Sequence, residues 1–197
     1  MIDTLNQLDI ELFLWLNGRY MPWLDPIMIW ITERNSWFPL YALLIGWLIY
    51  KYRKQAIGFL LTIIAAVAIG DQIASSVLKP LTHRLRPCHE LAVQKLMHPV
   101  MECGGLYGFV SSHAATTFAL ATTLWLLLGK RYPWLLWGFL WAAIVSYSRI
   151  YVAAHYPLDV LAGTGVGVLS AQLAVFIFRW WLQRSERSAV EKKSFVD

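Results

Sequence analysis

Charge is scarce in this sequence. Asp, Glu, Lys and Arg make up 15 % of its 197 residues, against 58 % hydrophobic residues and a mean hydropathy of +0.50. Soluble domains carry roughly 25 % charge, so an ordinary soluble fold is excluded as the default and a membrane protein is expected. Internal repeats, low-complexity runs and Pro/Gly/Ser-rich linkers are missing, which leaves a single domain. Before its first apolar stretch the chain lacks the basic residues and small-residue cleavage site of a signal peptide, so the first residues are expected to be retained. Cysteines number only two, too few to form a pattern. The net charge of +5 does not point to nucleic acid. The basic residues sit between apolar runs instead of alternating with aromatics on a polar segment, so an anionic lipid headgroup and the bilayer are the expected partners.

What the sequence does have is long apolar runs. A helix needs about 20 apolar residues to cross the hydrocarbon layer. Residues 37–50, 56–78, 114–128, 133–152 and 160–182 qualify, the first and third by borrowing from their flanks. Residues 8–17 mix apolar side chains with Asp9, Glu11 and Asn17 and read as a helix lying in the interface. Residues 22–32 are apolar but short, which leaves open whether the N-terminal segment crosses the membrane. The expected fold is an all-α, integral-membrane helical bundle of five spans plus the N-terminal interfacial helix. Lys51, Arg53, Lys54, Lys130, Arg131, Arg184, Arg187, Lys192 and Lys193 fall in alternate loops and mark the cytoplasmic side. The long loop of residues 79–112 and the turn around His155 then face outward.

Three polar clusters lie on that outward side. In the first, Lys79 and Arg86 are seven residues apart, near one face of a helix, with His83 and Arg84 between them. Snorkelling at a membrane boundary and clamping of an anion both fit this spacing. In the second, Ser111, Ser112 and His113 directly precede an apolar run. Serines there cap free N–H groups, and the same donors make an anion site; the histidine adds a group able to carry a proton near neutral pH. In the third, Ser148 and Arg149 precede His155 and Asp159, which are four residues apart. On a shared helical face the carboxylate fixes the imidazole tautomer, the arrangement a nucleophilic histidine needs, although a buried His–Asp pair also serves structure alone.

Taken together these clusters resemble the type 2 phosphatidic acid phosphatase superfamily, whose pattern is K-x6-RP, then PSGH, then SR-x5-H-x3-D. Lys79, Arg86 and Pro87 match the first motif, and Ser148, Arg149, His155 and Asp159 the third. The second reads Val110, Ser111, Ser112, His113, so its proline and glycine are replaced. The expected organisation is a membrane-embedded phosphatase domain over residues 1–183, followed by a cytoplasmic basic tail at 184–197 whose charge is expected to leave it flexible. The resemblance implies that Lys79, Arg86 and Arg149 clamp the phosphate, with donors from Ser111, Ser112 and His113. His155 attacks phosphorus, Asp159 orients it, and His113 protonates the departing oxygen. Three fixed cations take the place of a metal, so neither metal nor cofactor is expected.

The implied activity is hydrolysis of a lipid phosphomonoester or pyrophosphate at the outer face of a bacterial-type inner membrane. Undecaprenyl diphosphate, phosphatidylglycerol phosphate, phosphatidic acid and lipid A are candidate donors, and the oligomeric state is left open. A lipid-to-lipid phosphotransferase and a silent anionic-lipid binder are the competing functions. Vanadate haloperoxidases share the motifs but are soluble. Cys88 and Cys103 lie in the outward loop and are expected to pair. Asp71 and Gln72 inside the second span suggest either support for the cations or helix packing. Gly163 and Gly167 form a small-xxx-small packing face, and the tryptophans near span ends are interfacial anchors.

Overall fold

The computed structural model describes residues 2–194, without the side chains of residues 2, 3, 186 and 188–194. It is all-helical: among the described residues the sole β feature is an isolated bridge between Leu85 and Tyr107. The helices are α1 (Ile2–Asn17), α2 (Asp25–Thr32), α3 (Phe38–Tyr52), α4 (Gln55–Gln72), α5 (Lys79–Thr82), α6 (Leu91–Gln94), α7 (Ser112–Leu128), α8 (Trp137–Tyr151) and α9 (Pro157–Ser194). A π-helical stretch, Ile73–Leu78, joins α4 to α5 without a break.

Two of these helical runs, Gln55–Thr82 and Pro157–Ser185, are long and apolar enough to cross a membrane. The other three expected spans coincide with α3, α7 and α8, which are shorter. Fifteen residues of α3 rise only about 23 Å, less than the ~30 Å hydrocarbon layer. No break in α9 marks the expected domain boundary at residue 184, because the helix runs on to Ser194. The last three residues of the expected tail lie outside the described ones.

Side-chain size is distributed inside out. Leu43, Ile57, Leu61, Ile64, Leu161, Leu169 and Phe176 are exposed, whereas Ala66, Ala115, Ala119, Ala171 and Ala174 are buried. Water would penalise that surface and lipid does not, while small residues let helix backbones approach closely. α7 accordingly makes its most extensive packing against α9. A Cβ on Gly163 would overlap the Ser111 carbonyl, and one on Gly167 the Ala115 carbonyl. Both glycines of the small-xxx-small face therefore sit where α9 presses on α7.

α1 departs from the reading of residues 8–17 in one respect. One face of the helix is buried, Asp9, Phe13 and Asn17 at four-residue spacing, while Leu5, Leu8, Leu12 and Trp15 are exposed, as are Asn6, Gln7 and Glu11. Asn17 donates to the carbonyl of Tyr151 (2.7 Å) and accepts from the His98 N–H (2.7 Å). α1 is thus fastened to the bundle by buried hydrogen bonds.

The two ends of the bundle differ in chemistry. At one end the α3–α4 and α7–α8 connections come together through Trp47, Tyr52 and Tyr132, and Arg179 donates to the Leu126 carbonyl. The basic loops Lys51 to Lys54 and Lys130 to Arg131 lie here. The three polar motifs gather at the other end.

Candidate active site

Each motif residue is placed by a helix terminus or a turn. Ser111 precedes α7 in extended conformation, and its Oγ accepts from the Ala114 N–H at the helix start. Ser112 and His113 therefore occupy the first turn, where unpaired N–H groups and the helix dipole favour an anion. The Ser111 N–H donates to the carbonyl of Asp159 (2.9 Å), fastening the second motif to the third. The Lys79 ammonium donates to Ser112 Oγ (3.3 Å), fastening the first to the second. Ser112, which stands where the family pattern has glycine, uses its added hydroxyl for this contact.

Arg149 and His155 are held apart by a tight turn. Both the Ala154 and His155 N–H groups donate to the Arg149 carbonyl, at 2.9 and 3.2 Å. Ala153 reaches the left-handed region (φ 57°) to close that turn, a conformation costing an L residue about 1 to 2 kcal/mol and sustained here by the surrounding packing. Arg149 is buried and donates to Thr32 Oγ1 (2.6 Å), while its Nε has no protein partner. An unpaired guanidinium N–H that far from water is poised for an acceptor.

Arg86 is presented by the loop before the first motif's proline. The Arg86 N–H donates to Leu106 O and the Gly108 N–H to Arg84 O, so the strands of this loop run antiparallel. Arg86 Nε donates to the Tyr107 carbonyl (3.2 Å). Gly104 and Gly108 lie directly against the Arg86 side chain, and a Cβ on Gly108 would meet both it and Asp159. Cys88 and Cys103 form a disulfide, Cα–Cα 5.9 Å, that closes this loop next to Arg86. Among the described residues Cys88, His89 and Cys103 are the one group of three potential metal ligands, but both sulfurs are committed to the disulfide and neither is a thiolate.

His155 is 1 % exposed, and its Nδ1 faces Asp159 Oδ2 at 3.5 Å, an ion-pair separation longer than a hydrogen bond. Burial first, then the charges of Arg149, Arg86 and Lys79, push the imidazole pKa well below its ordinary value, with the Gly108 backbone opposing. Burial and the neighbouring cations thus favour the uncharged ring, with Nδ1 toward the carboxylate.

Asp159 has a second partner that the spacing of the motifs does not reveal. Its Oδ1 accepts from Arg84 (2.7 Å) and its Oδ2 from the Tyr156 N–H (3.0 Å). The other end of the Arg84 guanidinium pairs with Asp9 (2.6 Å) and lies over the Tyr156 ring at 4.5 Å. Arg84, Asp9 and Thr32 are the site neighbours that sequence reasoning assigned no role.

Beside the motifs lies a cavity of about 640 Å³, lined mainly by apolar residues of α3, α4 and α7 and by Arg34, Asp71 and His113. It meets the motif residues at His113 and not at His155. Asp71 and Gln72 take bonds from Ser75 and Ser76 of their own helical run, and neither bonds to Lys79.

The PAP2 superfamily model matches residues 55–184. This chain belongs to the PAP2 superfamily. A lipid A 4'-phosphatase of Bacteroides thetaiotaomicron is 37 % identical over 90 % of this chain and 80 % of its own length. An undecaprenyl-diphosphatase of Sulfolobus acidocaldarius is 34 % identical over 86 % of this chain and 78 % of its own. The crystal structure of Aquifex aeolicus LpxE superposes with a TM-score of 0.69 at 26 % identity, covering 85 % of this chain and 94 % of that one. As a PAP2 member the chain is an integral-membrane lipid phosphatase with the all-helical architecture of its relatives. Its motif residues lie within the matched region, whereas Asp9 and Thr32 precede it.

Proposed function

We propose that this phosphatase removes phosphate from a lipid phosphate ester or diphosphate by a metal-free, two-step transfer through His155, at the outer face of a bacterial inner membrane. The observation that carries the reading is the convergence of Lys79, Arg86 and Arg149 on a buried His155 backed by Asp159.

In the first step Nε2 of His155 attacks phosphorus while the P–O bond to the lipid breaks. The electron pair leaves with the lipid oxygen, which takes a proton from His113, the imidazole having taken up that proton from solvent when the anionic phosphate docked among the cations. Asp159 balances the positive charge that forms on the phosphorylated imidazole. In the second step His113 takes a proton from water, water attacks phosphorus, the N–P bond breaks, and inorganic phosphate leaves. Lys79, Arg86, Arg149 and the first-turn N–H groups of α7 neutralise the equatorial oxygens throughout. Preorganised cations in a water-poor site supply that stabilisation without reorganisation.

The cavity at His113 lies on the leaving-group side and suits the lipid's apolar body. With α3, α4 with α5, α7, α8 and α9 taken as five spans, the site and the basic loops lie at opposite ends of the bundle; the positive charge of those loops supports an outward-facing site. The 37 % identical relative favours the 4'-phosphate of lipid A as donor, and the 34 % identical one an undecaprenyl diphosphate.

The test is phosphate release in detergent, with EDTA present, from a panel of both lipids, phosphatidylglycerol phosphate and phosphatidic acid, comparing the native chain with His155→Ala. Release that survives EDTA and is lost in the variant supports the reading. Metal-dependent release, or release by the variant, overturns it. Donor loss without stoichiometric phosphate marks transfer to a second lipid.

A further inference from the structure

Asp9 stands near the N-terminus, outside all three motifs and outside the family match, yet it is among the most buried charged groups in the protein. Its two oxygens are both engaged. Oδ2 pairs with Arg84 at 2.6 Å, and Oδ1 accepts from the Leu158 N–H (2.9 Å) in the first turn of α9, one residue before Asp159. The far side of the Arg84 guanidinium holds Asp159 at 2.7 Å, and Asn6 Oδ1 accepts from Arg84 at 3.0 Å. A continuous chain of contacts therefore runs from α1 through Arg84 and Asp159 to His155.

This chain resolves a conflict. Arg84 alone, so close to Asp159, would draw the carboxylate's charge away from His155. A phosphorylated imidazole is a cation and needs that charge. With Asp9 on its other side the guanidinium is shared by two carboxylates, and one negative charge is left over for the imidazole. Burial raises the Asp9 carboxyl, and Arg84 and the Leu158 N–H pull it back. The net direction is upward, and it is the 2.6 Å pair with the permanently charged guanidinium that favours the ionised carboxylate.

We propose that Asp9 is a positioning residue of the catalytic site: held on α1, it balances Arg84 and fixes the α9 N-terminus so that Asp159 serves His155. The proposal rests on His155 being the nucleophile. It makes the N-terminal helix part of the catalytic unit, in keeping with the buried face of α1 that carries Asp9 and Asn17.

Asp9→Asn tests it, because the amide keeps an acceptor for the Leu158 N–H and removes only the charge. The charged and titratable groups around His155 are Lys79, Arg84, Arg86, His113, Arg149, Tyr156 and Asp159, with Glu90 beside Tyr156 and Asp9 beyond Arg84. The substitution alters one of them. Expected is a fall in kcat of roughly tenfold or more with KM little changed. The acid limb of the kcat/KM profile moves to lower pH, because losing an anion makes His155 harder to protonate. In an Arg84→Gln background the same substitution has little further effect, since the competitor it balances is gone.

An unchanged kcat and limb in Asp9→Asn overturn the proposal, as does an equal loss of kcat in both backgrounds with the limb unmoved. His155→Ala runs in the same assay. If it still releases phosphate, the underlying mechanism fails. If it is inactive while Asp9→Asn behaves as native, the role of Asp9 alone fails.

Discussion

The Ser111 N–H donates to the Asp159 carbonyl across 2.9 Å, joining the residue that caps α7 to the residue that faces His155. The N-terminus of α7 and the first turn of α9 are therefore held together by backbone. Gly163, one turn beyond Asp159, lies against the carbonyl of Ser111. Anion site and nucleophile are thus spaced by backbone contact, which leaves little slack for an active site that must position phosphorus to within a fraction of an ångström.

Gly163→Ala is expected to open that contact. Alanine favours a helix by about 1 kcal/mol over glycine, but its Cβ overlaps the Ser111 carbonyl, and overpacking costs about 1 to 3 kcal/mol. The net effect is a lower melting temperature in detergent and a loss of activity larger than the loss of stability explains. Thermal unfolding and kcat measured on the same preparation check both.

His113→Ala is expected to separate substrates by leaving group. General acid catalysis contributes about 10²- to 10⁴-fold, and only a poor leaving group needs it. Turnover of a lipid phosphate falls by that range, whereas an aryl phosphate with an acidic phenol loses far less. Equal losses on both substrates contradict the placement of His113 beside the leaving-group cavity.

Thr32→Val removes the hydroxyl that holds Arg149 at 2.6 Å while nearly keeping its shape. The guanidinium loses its fixed orientation, so orthovanadate, which mimics the pentacoordinate phosphoryl group, binds more weakly. A hydrogen bond to a charged group contributes about 1.5 to 3 kcal/mol, which sets the expected rise in the vanadate inhibition constant at roughly tenfold or more. Inhibition assays on the native chain and the Thr32→Val variant read it directly.

The pH dependence follows from His155. Its pKa in the folded protein lies well below the ordinary imidazole value of about 6.5 because burial and three cations disfavour the charged ring. The nucleophile therefore stays unprotonated, and the acid limb of kcat/KM falls below pH ~6.5. The unfolded chain binds that proton more readily, so the contribution of His155 to stability is complete above pH ~6.5 and is lost as pH falls toward the folded value. An acid limb at or above pH 6.5 contradicts the assignment.

Most of the reactive chemistry was legible in the sequence from the motif residues themselves, although not for the helical reason: α5 ends at Thr82, so Arg86 lies in extended chain and not on one helix face with Lys79, and His155 precedes α9 in a turn. Lys79, Arg86, Ser112, Arg149, His155 and Asp159 all reach the same end of the bundle. The helices were legible from apolar runs, although the lengths of α3 and α8 did not reveal how they meet the bilayer. What escaped were contacts between distant parts of the chain. Nothing local to Asp9 names Arg84 as its partner, 75 residues away, or places Thr32 under Arg149. A partial signal did exist in α1: Asp9 and Asn17 share one helix face with Phe13, and in a membrane protein polar groups on a helix turn toward protein or water. Ser112 was legible as a departure from the family pattern, but its bond to Lys79 required the fold.

The most direct test of the central claim is to trap the covalent intermediate. Purified protein is mixed with lipid substrate labelled in the transferable phosphate, quenched in alkali within the first turnover, and mapped by peptide. Alkali-stable, acid-labile label on the peptide containing His155, absent in His155→Ala and present at normal or higher level when EDTA is included, is the predicted result. Label on another residue, or full turnover with no labelled protein at any time, contradicts a phosphohistidine at His155.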